Sequence, residues 1–303
     1  MSLRVHIAPR APEAALEAVR AGGAEPVEDP GSAEAIVWLG FDADRLLAML
    51  HGGVRWVQLP RAGIEDWLGG GVVDDDRLWT TASEAYADGV AEHVVALLLA
   101  GRRRLHDCAR ATSWDEENGG QPLFGGTIAL VGTGSIGRGV MRLLAPWGMR
   151  FLGVSRSGRP VEGAERVVPF GELRSVLPEA DAVVIAAPAT SETQGLIGRE
   201  ELGAMAQHAW LINVARGALV DTDALVEALA AGSIAGAGLD VTDPEPLPDG
   251  HPLWREPRAL ITPHRANFGE AADAALFELI RRQIRRFVAG EELSGRVDTA
   301  RGY

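Results

Sequence analysis

The chain has 303 residues, of which 47% are hydrophobic, and its formal net charge is −13. This length suits two ordinary globular domains, each with a buried core. The negative charge repels a phosphate backbone, so nucleic acid is not an expected partner. All 29 Lys+Arg residues are arginine, which excludes enzymes that need a lysine amine, such as pyridoxal enzymes and P-loop NTPases.

The single cysteine, Cys108, excludes an intramolecular disulfide and leaves too few ligands for a cysteine-bound zinc or iron–sulfur site. We therefore predict a metal-free protein in the reducing cytoplasm. Residues 1–10 lack the apolar core of a signal peptide, and the purest apolar run, residues 94–100, is too short to cross a bilayer, so no membrane association is expected. The arginine triplet at residues 102–104 is interpreted as a solvated helix terminus without a function.

The predicted elements begin with short apolar strands that alternate with helical patterns, which indicates an α/β domain with a parallel sheet. The strands are predicted at residues 3–8, 35–39 and 54–59, and the helices at residues 12–21 and 42–50. From residue 86 to residue 111, apolar residues on a helical spacing predict one long helix that joins two domains.

A glycine-rich turn, Gly132-Thr-Gly134-Ser-Ile-Gly137, directly follows the apolar run of residues 128–131. Glycines at this spacing permit a tight turn, close approach of a pyrophosphate and close packing of the next helix, here predicted at residues 138–145. We therefore predict a dinucleotide site; the alternative is an ordinary loop in a glycine-rich protein. The residues assigned to the cofactor here are Gly132, Gly134, Ser135, Ile136 and Gly137.

Later apolar runs predict the strands of a doubly wound sheet, at residues 150–154, 182–187, 210–214, 235–241 and 259–261. A final helix is predicted at residues 270–289. The predicted fold class is α/β, with two Rossmann-like or flavodoxin-like domains that contain parallel sheets. The nucleotide-binding domain, residues 91–267, is inserted into a substrate domain made of residues 1–90 and 268–303.

Side chains suited to hydride-transfer chemistry follow the predicted strands, where ligands bind in open α/β sheets. Arg216 could hold a carboxylate, and His264 could protonate the carbonyl oxygen of a 2-oxo acid. Glu245 could accept the second imidazole N–H, fix the tautomer and keep the ring protonated near neutrality. An ordinary solvated loop would explain each residue alone, but their joint placement favours a catalytic site.

Several segments together make the chain resemble the D-isomer-specific 2-hydroxyacid dehydrogenases over most of its length. Besides the glycine turn, they are Val90-Ala-Glu-His93, Trp147-Gly-Met149, Pro188-Ala-Thr-Ser-Glu-Thr193, Ile212-Asn-Val-Ala-Arg-Gly217, Asp240-Val-Thr-Asp-Pro-Glu-Pro246 and Thr262-Pro-His264. The resemblance implies Arg216 as the substrate clamp, His264 as the proton donor and Glu245 as its partner. It also implies a homodimer, with the apolar face of the long helix in the interface; packing between the two domains is the alternative explanation of that face.

The resemblance further implies contacts around the reacting groups. Asp240 is expected near the nicotinamide carboxamide, and Thr190 near the pyrophosphate or the nicotinamide ribose. The backbone amides of Ala62 and Gly63 are expected at the substrate carboxylate, with Arg61 beside them. The remaining expected cofactor contacts are Pro188, Thr193, Val214 and Ala215.

The segment Ser155-Arg156-Ser157 stands at the end of the second strand of the nucleotide domain, where NAD enzymes usually present an acidic residue. An arginine there removes repulsion against a 2′-phosphate and supplies a planar donor fork. We predict a preference for NADP(H), with NAD(H) possible; the alternative is a solvated Arg156 and use of both cofactors. Arg61 and Arg265 could bind a second anionic group of the substrate.

The predicted function is reduction of a small 2-oxo acid, similar to glyoxylate or hydroxypyruvate, to the D-2-hydroxy acid. Two alternatives remain open: a nicotinamide-sensing corepressor on the same scaffold, and a related phosphite or formate dehydrogenase. His93 is expected to pack or cap between the domains. No role is assigned to the other histidines, which are His6, His51, His106, His208 and His251.

Overall fold

The computed structural model describes residues 2–114, 116, 119–267 and 269–299. The strands are β1 (Arg4–Ala8), β2 (Glu25–Pro26), β3 (Ala35–Trp38), β4 (Trp56–Gln58), β5 (Leu78–Thr80), β6 (Thr127–Val131), β7 (Arg150–Ser155), β8 (Arg166–Pro169), β9 (Ala182–Ile185), β10 (Trp210–Asn213), β11 (Gly236–Leu239) and β12 (Ala259–Ile261). The α-helices are α1 (Glu13–Gly22), α2 (Ala43–Leu47), α3 (Glu65–Gly69), α4 (Ala87–Arg102), α5 (Leu105–Arg110), α6 (Ser135–Leu144), α7 (Arg199–Ala204), α8 (Thr222–Ala231) and α9 (Glu270–Ala289).

The chain forms two compact units, and one is inserted into the sequence of the other. The central unit is Asp88–Asn267, and the flanking unit combines Met1–Ala87 with Phe268–Tyr303. Each unit contains a parallel sheet with helices, so the predicted α/β fold class is confirmed. The predicted division into two domains, with boundaries at residues 90 and 267, stays a prediction.

The sheet of the flanking unit has the strand order β2-β1-β3-β4-β5, and all its strand pairs are parallel. Helices α1 and α9 pack closely, because a Cβ on Gly22 would lie 2.8 Å from the Cβ of Ile284. The hydrophobic core of this unit contains four fully buried tryptophans, Trp38, Trp56, Trp67 and Trp79. Apolar burial of such large side chains is the main stabilising contribution to a core.

The sheet of the central unit has the strand order β12-β11-β10-β9-β6-β7-β8 and is also parallel throughout. Strands β6, β9, β10 and β11 are buried at every residue, as expected for a sheet covered on both faces. Numbered from β6, the order is 3-2-1-4-5-6-7, which is that of a doubly wound dinucleotide-binding sheet.

The prediction of one long helix over residues 86–111 was wrong. The segment forms two helices, α4 and α5, which are separated at Arg104. Arg104 has a φ of +52°, in the left-handed region that ends a right-handed helix. Gly101 lies inside α4, and no glycine or proline stands in residues 102–110, so the periodic apolar pattern concealed the break.

The interpretation of residues 102–104 as a solvated terminus was wrong for Arg102. Its side chain is buried, with only 7% of the residue exposed. The guanidinium donates to the carbonyl oxygens of Asp181 at 3.2 Å and Pro122 at 3.1 Å, and to Gln121 Oε1 at 3.2 Å. Arg102 therefore ties the end of α4 to the strand that begins after Asp181, because a buried cation requires such partners.

Candidate active site

The carboxyl edge of the central sheet gathers most of the predicted site residues. The chain switches direction across the sheet between β6 and β9, and open α/β sheets bind ligands outside the carboxyl ends of strands at such a point. The glycine turn follows β6, and residues 188–193 follow β9. Arg216 follows β10, Asp240 and Glu245 follow β11, and His264 follows β12. The topology thus brings these predicted groups to one edge.

Each glycine of the turn meets a different steric requirement. Gly132 has a φ of +107°, and a Cβ there would lie 2.5 Å from the carbonyl carbon of Ala186. A Cβ on Gly137 would clash with the carbonyl oxygen of Gly132, whereas a Cβ on Gly134 would meet no atom within 4 Å. A dinucleotide turn needs a tight bend, close helix packing and open space for the pyrophosphate. The turn fits a nicotinamide dinucleotide in all three respects.

Helix α6 begins directly at this turn, with Gly134 as its N-cap, and glycine has no side chain that could cap the helix. The first N–H groups of a helix lack partners within the helix, and the helix dipole makes this end partly positive. Ser135 and Ile136 are half-buried beside the exposed Gly134. The end of α6 therefore offers backbone donors to a phosphate.

The end of β7 lies beside the glycine turn. The N–H of Gly132 donates to the carbonyl oxygen of Val154 at 2.8 Å. Ser155, the next residue along β7, therefore lies beside the glycine turn. Ser155 is half-buried, and Arg156 and Ser157 are exposed. This is the position at which a dinucleotide site meets the adenosine ribose. The predicted contacts of these three residues with a 2′-phosphate stay a prediction.

The loop after β9 is shaped by Thr193. Its buried hydroxyl donates to the carbonyl oxygen of Pro188 at 2.7 Å and accepts the N–H of Thr190 at 2.8 Å. Pro188 is exposed and Thr190 is half-buried at the open side of the loop. Thr193 therefore holds the loop shape, and the predicted cofactor contacts of all three residues stay predictions.

Asn213, at the end of β10, shapes the turn that presents Arg216. Its side-chain amide donates to the carbonyl oxygen of Arg216 at 2.9 Å, and its Oδ1 accepts the N–H of Ala215 at 3.1 Å. Asn213 is 1% exposed, and Val214 and Ala215 are also buried. A Cβ on Gly217 would clash with the backbone of Thr242, so this turn packs directly on the loop after β11. The sequence interpretation assigned no role to Asn213.

His264 and Glu245 form the predicted pair. The Nδ1 of His264 lies 2.7 Å from the Oε1 of Glu245. Both side chains remain accessible, with 55% and 41% of their surfaces exposed. In the described part of the chain no further hydrogen bond uses this imidazole, so its Nε2 has no hydrogen-bond partner there.

Asp240 is a buried carboxylate that accepts several hydrogen bonds. Its Oδ1 accepts from Thr262 Oγ1 at 2.5 Å and from the N–H of Arg265 at 2.7 Å, and its Oδ2 accepts from the N–H of Ala266 at 3.0 Å. Burial raises the pKa of Asp240, but hydrogen bonds from His93, Thr262 and these amides outweigh burial and lower the pKa to about 2. Asp240 is therefore ionised near neutrality; its predicted contact with nicotinamide stays a prediction.

The backbone of His264 adopts an unusual conformation. Its φ is +51°, in the left-handed region, which costs a residue with a Cβ about 1–2 kcal/mol. Its N–H donates to the carbonyl oxygen of Asp240 at 2.8 Å. Asp240 thus holds His264 through the backbone and holds the two following residues through its carboxylate.

His93 contacts two side chains of the turn region that follows β11 and β12. Its Nε2 lies 2.9 Å from Thr262 Oγ1 and 3.4 Å from Asp240 Oδ1. Both partners belong to the central unit, as His93 does, and the packing of His93 between domains stays a prediction. His93 and Thr262 are 169 positions apart, and no local sequence signal connects them.

In the flanking unit, the predicted carboxylate loop follows β4. The carbonyl oxygen of Arg61 accepts the N–H of Ala82 at 2.8 Å, and the carbonyl oxygen of Pro60 accepts the hydroxyl of Tyr86 at 2.6 Å. The Arg61 guanidinium carbon lies 3.8 Å from the centroid of the Phe41 ring, a cation–π contact. The loop is thus held through its carbonyl groups, and the sequence interpretation missed Tyr86 and Phe41.

The amides of Ala62 and Gly63 point to no partner among the described residues, since none of the hydrogen bonds found there uses them as donors. Ala62 is exposed and Gly63 is half-buried. Burial and the charge of Asp273 raise the pKa of Tyr86 to about 12, against the opposing charge of Arg61. The Tyr86 hydroxyl therefore keeps its proton and donates throughout the neutral range.

Other features of the described residues lie apart from this site. A cavity of about 480 Å³ is lined by Arg102, His208, Trp210 and Arg258, at the amino ends of the central strands and so at the opposite edge of the sheet. In residues 2–114, 116, 119–267 and 269–299, no three His, Cys, Asp or Glu side chains are grouped as a metal site would need. Within the same ranges, no helix has the length and apolar character needed to cross a membrane.

Comparison with known proteins identifies the family. The model of the NAD binding domain of the D-isomer specific 2-hydroxyacid dehydrogenases matches residues 95–266. A Corynebacterium melassecola protein described as uncharacterized is 40% identical over 297 residues, which are 96% of this chain and 97% of that protein. The glyoxylate reductase of Thermococcus kodakarensis is 37% identical over 223 residues, covering 70% of this chain and 67% of that enzyme.

Among solved structures, a D-isomer specific 2-hydroxyacid dehydrogenase from Xanthobacter autotrophicus Py2, in complex with NADPH and MES, is similar over 100% of both chains. Its sequence identity is 28% and its TM-score is 0.85. Taken with the sheet order and the dinucleotide turn, these matches show that the chain belongs to the D-isomer specific 2-hydroxyacid dehydrogenases, nicotinamide-dependent oxidoreductases that act on small acid substrates.

Proposed function

We propose that this protein reduces a small 2-oxo acid, of the glyoxylate or hydroxypyruvate class, to the D-2-hydroxy acid with NADPH. The observation that carries the proposal is the His264–Glu245 pair, 2.7 Å apart and accessible at the carboxyl edge of a dinucleotide-binding sheet. The glyoxylate reductase of Thermococcus kodakarensis supports the substrate class, since it is a relative at 37% identity.

The proposed chemistry divides the work among three side chains. A bound nicotinamide cofactor supplies the hydride that the carbonyl carbon receives. His264 donates the proton from Nε2 to the carbonyl oxygen, and Glu245 accepts the Nδ1–H and stabilises the imidazolium before transfer. Arg216 neutralises the substrate carboxylate and polarises the carbonyl. In the reverse direction His264 is the base.

The flanking unit contributes the carboxylate loop in this proposal. The backbone amides of Ala62 and Gly63 bind the substrate carboxylate, because an anion is well matched to N–H groups that have no other hydrogen-bond partner among the described residues. Arg61 and Arg265 extend the preference to substrates with a second anionic group. A kinetic survey that finds no gain in kcat/KM for dicarboxylates over monocarboxylates would discard that extension.

A role in proton transfer favours a ketone reductase over the alternatives. Formate oxidation requires no group that protonates an oxygen, whereas the His264–Glu245 pair supplies such a group. The corepressor alternative needs a peptide-binding surface beyond the two units. These alternatives remain outcomes of the assay described next.

The assay follows nicotinamide absorbance with NADPH against glyoxylate, hydroxypyruvate, pyruvate, phenylpyruvate and oxaloacetate. We expect His264→Ala to lower kcat by at least about 100-fold, which is the usual contribution of general acid catalysis. His208→Ala is the matched control, because His208 forms a histidine–carboxylate pair with Asp181 at 3.1 Å on the opposite edge of the sheet. Equal loss in both variants, or no turnover with any substrate despite NADPH binding, would contradict the proposed function.

The proposed preference for NADP(H) rests on Arg156, which is exposed beside the end of β7. We expect Arg156→Ala to weaken NADPH binding about tenfold or more and to leave NADH binding unchanged, because a charge-assisted bond is worth about 1.5–3 kcal/mol. Arg166→Ala is the control, since Arg166 is an exposed arginine of β8 paired with Glu179 at 2.6 Å. An equal loss for both cofactors in Arg156→Ala would remove the assignment.

The proposal includes a homodimer. The apolar residues of α4 that suggested an interface, such as Val94, Leu97 and Leu98, are buried within the chain itself. Support comes instead from large apolar side chains that the central unit leaves exposed, which are Leu105, Trp114, Phe124, Leu143 and Trp254. Light scattering that gives the mass of one chain would remove the dimer.

We also keep the cytoplasm as the proposed location and exclude nucleic acid as a partner. Cys108 is the single cysteine and is exposed, and an exposed thiol suits a reducing compartment. The net charge of −13 opposes association with a phosphate backbone.

A further inference from the structure

Three polar side chains beneath the His264 turn form a connected set that the proposed chemistry does not use. They are His93 of α4, Asp240 after β11 and Thr262 after β12. The side chain of Asp240 is 1% exposed and that of His93 is 20% exposed. Buried polar groups that hydrogen-bond to one another make the local structure rigid. This set is therefore expected to fix the conformation of the turn that it contacts.

The distances determine which atom donates each proton. Thr262 Oγ1 lies 2.5 Å from Asp240 Oδ1, and an ionised carboxylate only accepts, so Thr262 donates its single hydroxyl proton to Asp240. His93 Nε2 lies 2.9 Å from the same hydroxyl oxygen, which has no second proton to give. His93 must therefore donate from Nε2, and the hydrogen bonds run in one direction from His93 through Thr262 to Asp240.

Asp240 also holds the catalytic turn, which consists of His264, Arg265 and Ala266. Its carboxylate accepts the N–H groups of Arg265 and Ala266, and its carbonyl oxygen accepts the N–H of His264 at 2.8 Å. The turn contains a strained residue, His264, whose φ is +51°. A strained backbone persists only where its surroundings over-determine it, and Asp240 supplies three of the contacts that do so.

We propose that His93 and Thr262 are positioning residues for the reduction, which orient the Asp240 carboxylate by one-directional donation and so hold the His264 imidazole where it can transfer its proton. This inference rests on the proposed role of His264 as the proton donor. Neither residue hydrogen-bonds to the imidazole; each acts through Asp240. The mechanism is positional, because a displacement of about 1 Å at a reacting group can cost about 100-fold in rate.

The first test compares variants that remove the donor with variants that keep it. Thr262→Val removes the hydroxyl at nearly constant volume, and Thr262→Ser keeps it. His93→Leu removes the Nε2 donor, and His93→Gln replaces it with an amide N–H at a similar reach. We expect Thr262→Val and His93→Leu to lower kcat about tenfold or more, with the KM of the 2-oxo acid and the Kd of NADPH unchanged within about twofold. The conservative variants should recover most of the lost kcat.

A control separates positioning from loss of stability. Thr127→Val also removes the hydroxyl of a buried threonine, but at the amino end of β6, away from the turn. It should leave kcat unchanged whatever it does to the unfolding midpoint. If Thr262→Val and His93→Leu change only the unfolding midpoint, or if Thr262→Ser fails to recover kcat, the positioning role is wrong.

A second readout does not require turnover. In protein labelled with ¹⁵N-histidine, His93 should show a protonated Nε2 near neutral pH, and its resonance is assigned by its disappearance in His93→Gln. Thr262→Val should change that resonance, because its acceptor is lost. A proton found only on Nδ1 of His93 would overturn the inference, even if the enzyme were active. Failure of the wild-type protein to reduce any 2-oxo acid would overturn the proposed function but would leave this readout valid.

Discussion

Each of the two sheets has its own topological switch point, and the residues at the two points differ. In the central unit, the turn after β6 contains Gly134, beside which no atom lies within 4 Å of a Cβ position. In the flanking unit, the switch lies between β1 and β3, and a Cβ on Gly40 would lie 2.8 Å from the ring of Pro9 and 3.0 Å from Trp38. Protein atoms fill in one sheet the space that the other leaves open.

The helices that follow the first strand on each side of the comparison, α1 after β1 and α6 after β6, also differ in the charge of their first turns. Helix α1 begins with Glu13 after Pro12, and an acidic residue in the first turn repels a phosphate. Helix α6 has no acidic residue in its first turn. Strand order alone therefore does not make a dinucleotide site, because the residues of the turn decide whether an anion can approach.

The largest expected effect comes from breaking the turn of the central unit. Gly132→Ala places a Cβ at a φ of +107° and within 2.5 Å of the Ala186 backbone, so it should lower the free energy of unfolding by about 3 kcal/mol and abolish measurable NADPH binding. Gly23→Ala is the matched control, because Gly23 has a φ of +94° with no atom within 4 Å. It should cost about 1 kcal/mol through strain alone. Denaturant unfolding and cofactor titration measure both effects; equal losses would contradict the steric argument.

The second effect concerns the charge that fixes the catalytic turn. The pKa of Asp240 is lowered to about 2 in the folded protein, so its ionisation stabilises the fold above the unfolded-state pKa near 3.8, and this stability is lost as pH falls towards 2. The difference amounts to about 2 kcal/mol. Asp240→Asn should lower the free energy of unfolding by at least that amount at pH 7, and the gap to wild type should narrow as the pH is lowered from 5 to 3. A gap independent of pH would show that the carboxylate charge is not responsible.

A third substitution separates binding from folding in the two turns. Gly134→Ala has room for its Cβ, so we expect a change in unfolding free energy below about 0.5 kcal/mol together with a loss of NADPH affinity of about tenfold. Gly40→Ala in the flanking unit should do the reverse, because its Cβ meets Pro9: stability falls by about 1–3 kcal/mol and cofactor affinity is kept. Loss of NADPH affinity in Gly40→Ala would break the comparison.

The smallest expected effect is in the carboxylate loop of the flanking unit. Tyr86→Phe removes the hydrogen bond to the Pro60 carbonyl oxygen, which should lower the free energy of unfolding by about 1 kcal/mol. The KM for the 2-oxo acid should rise while kcat and the Kd of NADPH stay constant, since the loop binds the carboxylate in the proposal. A fall in kcat alone would assign Tyr86 to a different step.

The parts of the molecule that the sequence predicted are those with local signals. Apolar runs located β1, β3, β6 and β9, and the glycine spacing located the dinucleotide turn, because each property belongs to a few consecutive residues. Strands β2, β5 and β8 were missed, since they are short and have no apolar run longer than two residues, and β2 and β8 are partly exposed. The residues that follow each predicted strand could be named as site candidates because topology sends them to one edge.

What the sequence could not predict depends on contacts between distant positions. His93 meets Thr262 across 169 residues, and Arg102 meets Asp181 across 79. Both side chains looked like ordinary features of a helix, since burial and partners are decided by tertiary packing. Asn213 lies inside a recognised motif, but the sequence does not reveal that its side-chain amide donates to the carbonyl oxygen of Arg216 and so shapes that turn.

The distribution of tryptophan gives the unlabelled protein its own spectroscopic reporters. Four tryptophans of the flanking unit are fully buried, whereas Trp114 and Trp254 of the central unit are 90% and 50% exposed. Emission from the buried set should lie at shorter wavelength and resist aqueous quenchers such as iodide, while the exposed residues should be quenched readily. Because Trp210 of the central unit is also buried, quencher would act selectively on the exposed tryptophans of that unit, and unfolding followed with and without it would distinguish them from the buried set without a dye or a substitution.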